Sequence, residues 1–350
     1  MLRAWIASGL FFMALPGTLL GSSNLMAIST HHGIASLPAA WIQGHGHAQV
    51  FGWIGSFILG IGFHSQPSHR RSVIRIPLTC FVLWTSGVAM RWTASIYGWH
   101  WRLMFPISAG FELIAVLLFI AAATQHKLPE RAQGKRATPR MELWVVSVLM
   151  GTAGLAALVV FNFIECVHLA VNGTLLAFSH ALDQKYLVLL AWGFLVPVVW
   201  GFSARWLPIF LAIAPPSTRV FLTALILNLM GVLPGVSGWT IAATFLLTAA
   251  SVAIGLALHL TQRPHGSAKV QGIHPSFPSF IRLSYAWLVI AGSMSVWAAI
   301  ADQHGGIWGT SRHALTVGFA ATMVFAIGPR ILPHLPAIIP SSASDSCSSA

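Results

Sequence analysis

Residues 45–67 read HGHAQVFGWIGSFILGIGFHSQP, and apart from three histidines the stretch carries no ionisable side chain. Between 48 and 62 only Gln49 and Ser56 interrupt a run of apolar and small residues. A run this long is the length that crosses a bilayer as a helix, which takes about 20 mainly apolar residues. The rest of the chain has the same character. Of 350 residues 56% are hydrophobic and only 7% are charged, whereas soluble domains average about 25% charged. The fold class is therefore an all-α integral membrane protein.

Ten runs of suitable length stand near 4–22, 40–63, 74–91, 103–124, 143–163, 185–204, 219–235, 239–260, 281–301 and 312–331. They make one polytopic membrane domain over 1–333, followed by a Pro/Ser-rich tail over 334–350. The first run, MLRAWIASGLFFMALPGTLLG, has a signal-peptide look, but no small-x-small cleavage site follows it, so it is expected to stay as a span. Three cysteines, Cys80, Cys166 and Cys347, are too few and too scattered for a disulfide framework or a thiolate metal cage.

The basic residues give the topology. With Met1 cytoplasmic and connectors alternating sides, 15 of the 19 Lys and Arg residues fall inside, leaving Arg91, Arg102, Lys185 and Arg312 outside. That asymmetry is the positive-inside signature and puts both termini on the cytoplasmic side. It also accounts for the formal charge of +12 without a nucleic-acid partner, because the charge is dispersed over short loops.

The opening stretch has a relative within the chain. HAQVFGWIGSFILGIG from His47 aligns with HALTVGFAATMVFAIG from His313, and Pro67 and Pro333 each lie 20 residues beyond their histidine. A third copy ends in Arg205-Trp-Leu-Pro208, matching Arg330-Ile-Leu-Pro333, and puts Val188 where the histidines stand. Spans 2, 6 and 10 are four apart, which implies four-helix units around a pseudo-threefold axis. The chain leaves span 10 through LPHLPAIIPSSASDSCSSA, whose prolines forbid further helices, so the last unit is expected to be incomplete and covered by a partner subunit or a second copy.

Ionisable residues inside a span are functional candidates. His47 and His313, equivalent in the repeat, are the candidate axial ligands of a haem iron, which imidazole serves well in a helical bundle. His45 lies about 200° around the helix from His47 and is the candidate for a second metal, copper being suited to imidazole; His31, His32, His100, His168 and His180 share its side. Arg102 and Arg312 are placed to pair with haem propionates, although interfacial snorkelling explains them as well. Taken singly, His31, His32, His168 and His304 read as interfacial histidines. Glu112 reads as a buried partner of an Arg or His, with a proton relay as the alternative. No phosphate-binding loop, nucleophile–base constellation or zinc-spaced histidine pair is present.

These residues resemble a known family. His45-Gly-His-Ala-Gln with its glycine-rich helix, Arg205-Trp-Leu-Pro, Tyr285-Ala-Trp-Leu, and Arg312-His-Ala-Leu-Thr-Val-Gly followed by Arg330 are similar to NnrS proteins over about residues 1–333. The resemblance implies a bacterial inner (cytoplasmic) membrane location, haem and copper cofactors, and a role in nitric oxide metabolism and nitrosative stress. HGHAQVFGWIG is also similar to the haem-ligating helix of haem–copper oxidase catalytic subunits, whose low-spin haem is held from helices 2 and 10. The chain departs from that pattern where it matters for turnover: span 6 lacks a His-plus-Tyr copper pattern and span 7 an adjacent histidine pair, so no complete binuclear centre is recognisable. Two other readings are an oxidoreductase acting on nitric oxide through a reduced haem–copper centre, and a transporter without a cofactor.

Overall fold

The computed structural model describes residues 1–31, 37–65, 75–124, 142–265, 274–302 and 306–331. His32, His304, Pro67, Pro333, the tail, the 126–140 connector and most of the loop before residue 274 fall outside them, as do the side chains of His31 and Arg330. The described residues form ten helical runs and no strand.

We label them α1 to α10. Four are built of three consecutive segments: α1 of Leu2–Phe12, Met13–Leu19 and Leu20–His31; α2 of Ala39–His47, Ala48–Gly55 and Ser56–His64; α6 of His180–Val188, Leu189–Leu195 and Val196–Leu211; α10 of Gly306–His313, Ala314–Ala321 and Thr322–Ile331. The others are α3 Arg75–Tyr97, α4 Trp101–Thr124, α5 Leu143–Asn172, α7 Thr218–Ser237, α8 Thr240–Ala257 and α9 Phe277–Ala301. Seven of the ten are long and apolar enough to cross a membrane, so the chain is a multi-pass membrane protein. Several helices outrun the apolar stretches that announced them. Helix α1 continues through Asn24 and Thr30, and α5 through Glu165 and His168, because apolarity marks the length immersed in lipid rather than the length hydrogen-bonded as helix.

In each of the four segmented helices the middle segment is π-helical. Such turns are rare and mark functional or strained places. In three of them the widening begins on the residue after the repeat position, that is after His47, after Val188 and after His313. A glycine follows five residues beyond that position and an aromatic six beyond: Gly52-Trp53, Gly193-Phe194 and Gly318-Phe319. The internal repeat thus extends to the backbone irregularity of α2, α6 and α10.

The widened turns serve packing. Interhelical partners inside a bilayer have no water to replace them, and each π segment offers a main-chain carbonyl to a neighbouring helix. Trp84 of α3 donates to Phe51 O at 3.2 Å, and Asn228 of α7 to Trp192 O at 2.9 Å; these carbonyls occupy the same repeat position. Ser284 of α9 donates to Phe319 O at 2.8 Å, and Trp92 of α3 to Pro16 O in α1 at 3.1 Å. Helices adjacent in sequence pack side by side from α1 to α10. Helix α10 then meets α2 through Trp53 and Phe325, ring centroids 6.1 Å apart.

The tightest approach is between α5 and α6. A Cβ added at Gly154 would stand 1.9 Å from Gly193 O, so only glycine lets the two backbones come this close. Gly154→Ala is expected to cost about 1–3 kcal/mol by overpacking and to lower the thermal unfolding midpoint of the purified protein. Gly255→Ala, where a Cβ meets nothing within 4 Å, is expected to leave that midpoint unchanged or raise it. Equal midpoints for the two variants would contradict the close approach.

Candidate functional site

Three of the four π-bearing helices, α2, α6 and α10, meet at the end where His45, His47 and His313 stand. His47 of α2 reaches Tyr186 of α6, Asp183 of α6 lies 3.8 Å from Arg312 of α10, and His45 of α2 faces His313 of α10. Two residues of one short stretch, His45 and His47, therefore enter different surroundings on opposite sides of α2, as about 200° of helical rotation requires.

His47 is only 4% exposed and lies in a polar chain. Its Nε2 is 2.8 Å from Glu112 Oε1 and its Nδ1 is 3.2 Å from the Tyr186 hydroxyl. Asn162 donates from Nδ2 to Glu112 Oε2 at 3.1 Å, and the Cys166 thiol donates to Asn162 Oδ1 at 3.6 Å. Arg91 completes the chain, donating to Cys166 Sγ at 2.6 Å with its guanidinium over the rings of Phe105 and Phe178. Six side chains from α2, α3, α4, α5 and α6 are so joined, all of them buried. With Glu112 as carboxylate, the assignment that satisfies each group has His47 donating from Nε2 and accepting at Nδ1 from Tyr186. Both ring nitrogens of His47 are thereby engaged.

His45 and His313 are arranged differently. Their ring centroids are 6.5 Å apart and the rings are within 17° of parallel. Nδ1 of His45 is 2.9 Å from Gly17 O of α1, and Nδ1 of His313 is 2.8 Å from Gly309 O one turn back. A carbonyl can only accept, so each Nδ1 carries the proton and each Nε2 is left with its lone pair. This is the second-shell arrangement of metal-binding histidines, in which one nitrogen is tied down and the other ligates. With metal–nitrogen bonds of ~2 Å, two imidazoles on opposite sides of one ion have centroids roughly 6 Å apart, which the observed separation matches. A flat macrocycle also needs room beside its ligands. Gly46 and Gly309 add no bulk beside them, since a Cβ at either would meet nothing within 4 Å, and His313 itself is exposed, while the His45 ring lies against Gly21 of α1. The residues present fit a haem.

The sequence paired His313 with its repeat equivalent His47; the structure instead brings His313 to His45 and gives His47 to Glu112 and Tyr186. The remaining candidates are placed as follows. Arg102 donates to Ala170 O and Gly173 O, tying α4 to the C-terminal end of α5. Arg312 lies beside Asp183. His100, in a left-handed turn between α3 and α4, is exposed, as are His168 and His180. Among the described residues no group of three His, Cys, Asp or Glu side chains is placed to hold a metal ion, so no ligand set for copper emerges from them. Asn162, Tyr186 and Asp183 escaped the sequence reading, for they lie 115, 139 and 136 residues from His47 and carry no local motif.

Glu112→Ala is expected to destabilise the protein by roughly 1–3 kcal/mol or more, by leaving His47 and Asn162 without their acceptor. Tyr186→Phe is expected to cost about 1 kcal/mol. Thermal unfolding in detergent measures both, and a Glu112→Ala variant as stable as wild type would contradict the chain.

Comparison of the chain with protein-family models, with curated proteins and with solved structures found no match.

Proposed function

We propose that this chain is a haem-binding inner-membrane protein of the kind its resemblance to NnrS proteins implies, serving nitric oxide metabolism or protection from nitrosative stress. One observation carries the reading: two near-parallel imidazoles 6.5 Å apart on different helices, each with Nδ1 fixed by a main-chain carbonyl and Nε2 available. His45 and His313 would hold the iron, and Gly46 and Gly309 would leave space for the ring. Bound there, the haem supplies a one-electron redox centre whose potential depends on axial ligands and exposure. His47 belongs to the supporting framework, where it joins α2 to α4 and α6.

In the same reading the contacts His47–Tyr186, Asp183–Arg312 and His45–His313 join α2, α6 and α10 pairwise as the inner ring of a pseudo-threefold bundle of ten spans. The basic connectors face the cytoplasm and the histidine end faces outward.

Full-length protein expressed with haem supply and purified is expected to give a pyridine haemochrome signal. His45→Ala and His313→Ala should each lower haem per folded protein by tenfold or more. His47→Ala should lower the yield of folded protein while leaving haem in what folds. Wild-type protein without haem, or haem undiminished in His45→Ala, would contradict the proposal.

A further inference from the structure

The short segment Gly306–His313 that carries His313 packs along α9 and has its polar ties at two places, Trp308 and Ser311–His313. Its opening turns border two clefts, one of about 500 Å³ lined by Met294, Trp297 and Thr310 among others, and one of about 290 Å³ that reaches His180, Gln184 and Trp308. Gly306 and Gly309 present bare backbone to open space, and Asp302, just before α10, accepts the Trp308 N–H at 2.8 Å.

Side-chain hydrogen bonds to other helices begin at Ser311. Its hydroxyl is 2.6 Å from the Ser295 hydroxyl and donates to Ala291 O at 3.0 Å, both on α9. Arg312 turns toward α6 and stands 3.8 Å from Asp183, an ion pair without a hydrogen bond. His313 turns toward α2. Successive residues of a helix are about 100° apart, so these three fix the rotation of the segment from three directions, each through a different neighbour.

The geometry points to Asp183 as a positioning residue for His313. Asp183 on one side and Ser295 on the other set the rotation of this end of α10, and with it the place of His313 opposite His45. Without the carboxylate, Arg312 loses its counter-ion and the segment keeps only its ties to α9 and Asp302, beside clefts that leave its α6 side room to shift. Asp183 touches neither histidine; it acts through Arg312.

Two readouts test this in the full chain, and only the second rests on the haem reading. The first is crosslinking of the pair His45→Cys and His313→Cys by a short bifunctional thiol reagent, with Cys347→Ser removing the tail thiol; Cys80 and Cys166 are buried. Asp183→Asn in that background is expected to slow crosslinking about two- to fivefold, as fits a partly exposed ion pair. Asp183→Glu should restore most of the rate, and Ser295→Ala should slow it in the same direction. The second readout is the low-spin haem signal of protein retaining both histidines, which Asp183→Asn should weaken or broaden. Crosslinking unchanged in both Asp183→Asn and Ser295→Ala would overturn the inference. Slower crosslinking in a protein whose wild type holds no haem would support it while removing the haem reading.

Discussion

Inside a bilayer a helix normally keeps all its carbonyls for itself, and a polar side chain on a neighbouring helix then has nowhere to donate. In this protein the widened turns after His47, Val188 and His313, and a fourth in α1, resolve that conflict. Each releases a carbonyl to which Trp84, Asn228, Ser284 or Trp92 donates. The same turns set how α2, α6 and α10 rotate relative to one another. Everything at the histidine end follows from that rotation, because turning α2 by two residues' angle, about 200°, would put His45 where His47 stands.

The two histidines show what the surroundings decide. Both are imidazoles with the same intrinsic chemistry, two residues apart. His47 points into a packed interior, where Glu112, Asn162, Cys166 and Arg91 form a hydrogen-bonded chain in which only Arg91 Nε is left without a partner, and it is consumed by structure. His45 points toward α1 and α10, where its ring lies against Gly21, one nitrogen is fixed by Gly17 O and the other meets no hydrogen-bonding group among the described residues. A buried polar network rigidifies its surroundings, and here it holds α2 while His313, on the other side, is exposed.

Much of this was legible in the sequence. The apolar runs gave the helices, and the paired spacing of His47 to Pro67 and His313 to Pro333 gave the repeat. The turn geometry was not legible, although Gly52-Trp53, Gly193-Phe194 and Gly318-Phe319 recur in register, because an apolar helix has no polar face against which an extra residue per turn would show. Sequence also placed His45 and His47 on opposite sides of α2 without saying which side meets α10. That depends on Tyr186 and Glu112, residues far away in the chain whose pairing leaves no periodic trace. Likewise Arg102 and Arg312 look alike as basic residues on the sparsely charged side, yet one closes the end of α5 and the other is held by Asp183.

Near-infrared magnetic circular dichroism of the ferric protein tests the central claim most directly, since it reports the identity of both axial ligands. A band characteristic of two imidazoles, lost in His45→Ala and in His313→Ala but kept in His47→Ala, is the result predicted. A bis-imidazole band that survives His45→Ala and disappears in His47→Ala would contradict it.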